Sequence, residues 1–77
     1  MITSDQIRAA RSLLRWTGKE LAEKSGVGFS TLMRLEAEDG VPNAQAKTLE
    51  ALRKAFEDAG VEFIGTPESG VGVKWRS

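Results

Sequence analysis

Between residues 17 and 36 the chain reads TGKELAEKSGVGFSTLMRLE. Winding its second half on a helix, at about 100° per residue, puts Leu32 and Leu35 on one side. Ser30, Met33, Arg34 and Ala37 gather on the other, with Phe29 and Thr31 on the flanks. That outward set offers a guanidinium, a hydroxyl and two apolar groups, Phe29 and Met33. Such groups recognise a surface by hydrogen bonding and contact, and they break no bonds. The remainder adds no catalytic equipment. There is no cysteine nucleophile, no histidine base, no glycine-rich phosphate loop ending in Gly-Lys-Ser/Thr, and no pair of acids on an apolar wall. An enzyme is not expected, and neither is a cofactor or a transition-metal site. Glu36 is the odd member: a carboxylate at the border of the apolar side, which needs a partner there.

The elements that must position this stretch can be read on either side of it. A first helix begins after a cap at Thr3 or Ser4 and runs to about Leu14, with Ile7, Ala10 and Leu14 as its apolar stripe. Arg8, Arg11 and Arg15 repeat beside that stripe, as a solvated face or as a phosphate track, and Trp16 closes the core. A second helix starts at a capping box, Thr17 with Glu20, turns Leu21 and Ala22 inward and ends near Ser25. Gly26 stands where a left-handed residue stops the helix. The third helix covers Phe29 to Ala37. EDGVPN reads as a loop, and Asn43 is expected to cap a fourth helix through about Ala59, with Leu49, Leu52, Phe56 and Ala59 inward and Gly60 as its stop. VEFI and VGVKW then read as two short strands around GTPESG. The expected fold is mainly α: a compact domain of about four helices over residues 1–60, followed over 61–77 by a short C-terminal β-hairpin or strand pair.

Seventy-seven residues make a single domain whose core is near the minimum for stability, so packing or a second copy must carry it. No apolar run approaches the roughly 20 residues that cross a bilayer, and the start MITSDQIRAA shows no signal peptide. A cytoplasmic protein is the expectation, and the lack of cysteine agrees with it. The formal net charge is zero, yet the charge is unevenly placed. Residues 1–35 carry a net +3, from Arg8, Arg11, Arg15, Lys19, Lys24 and Arg34 against Asp5, Glu20 and Glu23, and residues 36–77 carry a net −3. A basic front half is a modest pointer to a polyanionic partner.

Two short helices around a glycine turn, buttressed by a helix on each side, form a helix-turn-helix layout. It pushes the second helix outward, and a DNA major groove admits one helix. Ala22 is the small residue at the crossing, Gly26 the turn-former, Leu32 and Leu35 the inward anchors. Thr17, Glu20-Leu21-Ala22, Gly26-Val27, Thr31-Leu32 and Leu35-Glu36 together resemble the Cro and phage-repressor (XRE-type) helix-turn-helix family, and the resemblance spans roughly residues 4–59. It implies that Thr17, Gly18 and Lys19 touch DNA phosphate, as a helix N-terminus favours. It also implies that Phe29, Ser30 and Arg34 read bases, with Met33 sharing that face, and that Asn43 lies near a further phosphate. Arg11 and Glu36 match a pair that is salt-bridged in related repressors. Three features depart from the pattern. Gly18 stands where relatives often carry Gln, and Gly28 replaces the usual Ser or Thr cap, weakening it by only a few tenths of a kcal/mol. EAEDG is acidic where relatives often place lysines, which lowers the affinity expected for a polyanion.

In the tail, Val61 and Phe63 share one strand face, and Val71, Val73 and Trp75 another. An isolated hairpin is marginal and its edges invite pairing. The expectation is a homodimer whose strands join a twofold-related sheet, with Ile64, Val73 and Trp75 in the contact; the alternative is a hairpin folded back on its own helices. The function expected is a sequence-specific DNA-binding transcriptional regulator, a repressor on a pseudo-palindromic operator of double-stranded DNA. The alternatives are an antitoxin, whose tail grips a toxin protein, and a protein-interaction adaptor with little DNA binding.

Overall fold

In the computed structural model, which describes residues 2–76, the order is four helices and then two strands. These are α1 (Ser4–Leu14), α2 (Gly18–Ser25), α3 (Phe29–Ala37), α4 (Ala46–Asp58), β1 (Val61–Thr66) and β2 (Gly70–Trp75). The molecule is mainly α with a C-terminal hairpin, as its periodicities imply. No helix among the described residues is long and apolar enough to cross a membrane.

Both early helices begin with reciprocal caps. In α1 the Thr3 hydroxyl accepts from the Gln6 amide while the Gln6 side chain accepts from the Thr3 amide. In α2 Thr17 and Glu20 do the same, at 3.1 and 2.9 Å. Each such cap supplies partners for amides that the helix itself leaves unpaired, worth about 0.5–2 kcal/mol. α1 stops without a glycine. Arg15 takes φ 59°, and the amides of Arg15 and Trp16 close back on the carbonyls of Ser12 and Arg11, a Schellman ending. That reversal carries Trp16 onto Phe56, ring centroids 5.9 Å apart and nearly parallel. Gly26, at φ 76°, ends α2 with its amide on the Ala22 carbonyl.

One core runs through the chain. Ile7, Leu21, Leu32, Leu35, Leu52, Phe56 and Val61 are fully buried. In α4 the buried row is Leu49, Leu52, Ala55 and Phe56, so Ala55 takes the place expected for Ala59, which is half-buried. The outer face of α4 is a solvent face of paired charges. Arg53 bonds Glu50 and Glu57, and its hydrogen bond holds the Glu50 carboxyl below the usual carboxylate range.

Asn43 does not cap α4. The helix starts two residues later, with Gln45 at the cap position and no side-chain bond to its amides. The reason lies in the loop: Pro42 is buried and the Asn43 amide is taken by Glu38, so Asn43 closes the α3–α4 loop.

β1 and β2 pair with each other, antiparallel, with Val61 opposite Trp75 and Phe63 opposite Val73. The hairpin folds back on α1 and α4 of its own chain. Phe63 meets the Phe56 ring edge-on at 5.8 Å, and Val73 packs against the core. The expected intermolecular sheet is therefore not needed to pair these strands; local pairing through a three-residue loop avoids the entropy of association. Gln6 ties the hairpin down. Its buried amide nitrogen donates to the carbonyls of Ile64 and Gly72, at 3.2 and 3.0 Å, from opposite strands. Of the three residues expected at a dimer contact, Val73 is half-buried against its own chain, whereas Ile64 (43% exposed) and Trp75 (51%) remain on the surface.

Candidate nucleic-acid interface

α3 presents two unlike sides. Leu32 and Leu35 are fully buried, while Ser30, Arg34 and Ala37 are exposed. Phe29 is 44% exposed, so it stands on the outward side and is not rolled into the core. Met33 differs from expectation. It is half-buried and packs against the core's edge, because Gly18 leaves it room. A Cβ built on Gly18 would sit 2.7 Å from Met33 Cε and 3.1 Å from Phe29 Cε1. The absent side chain at position 18 is thus filled by Met33 and Phe29, and the start of α2 meets the outward side of α3 through them.

The N-terminus of α2 adds donors to that patch. The capping box satisfies the amides of Thr17 and Glu20. Gly18 and Lys19 occupy the first turn between them, with amides that an α-helix leaves unpaired. Lys19 is exposed beside them. Such an end attracts anions.

The C-terminal end of α3 is held by α1. The buried Ser4 hydroxyl donates to the Leu35 carbonyl at 2.7 Å, and its amide donates to Gly40 O at 2.8 Å. Arg8 donates to the Glu36 carbonyl. Arg11 reaches the Glu36 carboxylate through Nε and Nη2, at 3.0 and 2.9 Å, and the Trp16 carbonyl through Nη1 at 3.1 Å. The Glu36 side chain is 8% exposed and that of Arg11 29%, so the carboxylate has its partner. Arg8 and Arg11 therefore hold α3 in place, placing cations at the negative end of its dipole.

Arg34 points out, its side chain 56% exposed. Its Nη1 bonds Glu38 Oε2 at 3.1 Å and lies 3.4 Å from the Asn43 carbonyl. The structure thus brings Thr17, Gly18, Lys19, Phe29, Ser30, Met33, Arg34 and Asn43 to connected parts of one surface: the start of α2, the outward side of α3 and the loop after it. Ile64, Val73 and Trp75 belong to the hairpin, which packs on other helices. Sequence reasoning missed Ser4, Arg8 and Glu38 as residues that set this surface. All three act on α3 or its following loop, and only Glu38, four residues after Arg34, carried a signal at helical spacing.

No protein-family model matches the chain, and a search of curated proteins finds no match.

Proposed function

We propose that the protein is a sequence-specific DNA-binding transcriptional regulator, most simply a repressor of the Cro and phage-repressor (XRE) type, working in the cytoplasm by recognition and not by catalysis. α3 enters the major groove, with Ser30 and Arg34 toward base edges, and Phe29 and the exposed part of Met33 toward thymine methyl groups. Thr17, Gly18 and Lys19 meet a phosphate. The observation that carries this reading is the division of α3: two leucines fully buried, with Ser30 and Arg34 exposed on the opposite side. An α-helix with its side chains is about 10–12 Å across, which a major groove about 12 Å wide admits.

With Arg8 and Arg11 engaged within the protein and acidic residues in the loop after α3, one copy binds weakly. A homodimer supplies the second recognition helix, and the hairpin surface, with Ile64 and Trp75 exposed on its opposite faces, is available for it. That same surface favours a second reading, in which the hairpin holds a toxin protein and the chain is its antitoxin.

Selection of bound sequences from random duplexes at about 50 mM salt tests the proposal. The expected product is a pseudo-palindrome with half-sites about one helical turn apart. Arg34→Ala is expected to weaken binding by about 1–3 kcal/mol per contact and to relax preference at one base pair in each half-site. Full affinity with unchanged preference would show that α3 is not the reading helix. Co-elution with a toxin protein encoded beside it favours the second reading.

A further inference from the structure

We infer that Glu38 is a positioning residue for Arg34, sharpening base discrimination while weakening binding to DNA at large. The inference rests on the reading of α3 as the groove-facing helix. The two oxygens of Glu38 serve different partners: Oε2 accepts from Arg34 Nη1 at 3.1 Å, and Oε1 accepts from the Asn43 amide at 2.8 Å. Arg34 Nη1 also reaches the Asn43 carbonyl at 3.4 Å. Residues 34, 38 and 43 form a closed ring of contacts that joins the last turn of α3 to the loop behind it.

Within that ring the carboxylate is the sheltered partner, its side chain 29% exposed against 56% for the guanidinium. Nη1 faces the protein. Among the described residues no partner engages Nε or Nη2, which leaves two donors in the plane of the guanidinium for an outside acceptor pair. A planar fork held at one corner loses less freedom when it closes on two acceptors, such as the O6 and N7 of guanine. A freely rotating arginine satisfies any nearby phosphate equally well. The Glu38 charge acts in the same direction, because it repels phosphate whatever the sequence.

These two actions have opposite signs in affinity and in discrimination, and a mere brace for the loop would produce neither. The test compares the full chain with Glu38→Gln, Arg34→Ala and the double variant. Each is checked for folding by circular dichroism and titrated with the selected duplex and its single-base-pair variants. Glutamine keeps an acceptor for the Asn43 amide and removes the charge. Glu38→Gln is expected to bind unrelated duplex several-fold more tightly and to lose about tenfold in discrimination at one base pair per half-site. In the Arg34→Ala background the same change is expected to alter general affinity alone, which marks an action through Arg34. Unchanged preference in Glu38→Gln overturns the inference, as does an equal loss of preference without Arg34. Failure of the unaltered chain to bind any duplex in a salt-dependent way removes the DNA reading itself, and the inference with it.

Discussion

Arg11→Met is expected to destabilise the domain by about 3 kcal/mol, the lower end of the range for breaking a buried ion pair. The Glu36 carboxylate would remain at 8% exposure with its three guanidinium bonds gone, and the Trp16 carbonyl would lose its donor. The lower end applies because the Arg11 side chain is itself 29% exposed, so water can reach the vacated side. A domain of this size has a total stability of roughly 5–10 kcal/mol. A fall in Tm on the order of 15 °C should follow in thermal unfolding by circular dichroism. Replacing both partners, Arg11→Met with Glu36→Leu, should restore most of it, since the pair's desolvation is then avoided. A single variant within about 1 kcal/mol of the unaltered protein would mean that the pair contributes little to holding α3.

Gly65→Ala is expected to open the hairpin. Gly65 takes φ 83°, a conformation that strains other residues by about 1–3 kcal/mol. A Cβ there would also lie 1.9 Å from the Gly70 carbonyl oxygen and 3.1 Å from Val71 Cα. Those are backbone atoms of the paired strand and cannot step aside without breaking the register. Gly70 is the internal comparison: it has φ 100° but nothing within 4 Å of its Cβ position. Gly70→Ala should therefore show the backbone strain alone, and Gly65→Ala clearly more. Because Val61 is fully buried and Phe63 packs on Phe56, loss of the hairpin lowers the stability of the whole domain. Equal unfolding midpoints for the two variants would contradict the close approach.

The features that reading the residues in order recovers are those governed by local rules. Thr17 and Glu20 sit three apart, Gly26 follows the last turn of α2, and Leu32 and Leu35 share a side; each obeys helical spacing or cap chemistry and each stands where those rules put it. Asn43 does not cap because it is held in the loop, with Pro42 buried and the Asn43 backbone amide on Glu38 Oε1, while α4 begins only after Gln45. The Arg15 ending escaped notice for a related reason. No glycine or asparagine marks the stop, and the left-handed Arg15 is seen together with Trp16 on Phe56, a contact across 40 residues. The hairpin's place was likewise out of reach of pattern. Alternation shows that strands form, but whether they pair at home depends on Gln6 reaching carbonyls 58 and 66 positions away. On the candidate interface the outward side of α3 follows from a helical wheel, whereas the seating of Met33 over Gly18 depends on how closely α2 and α3 approach.

In the proposed function, the outward side of α3, with the start of α2, is the surface that meets a duplex. Backbone amide chemical shifts of the labelled protein, followed as the selected duplex is added, test it most directly. The predicted result is a set of large shifts at residues 17–20 and 28–34, with a smaller set near Asn43, and little change on the outer face of α4. Large shifts confined to the hairpin or to α4, with residues 28–34 unmoved, would contradict it.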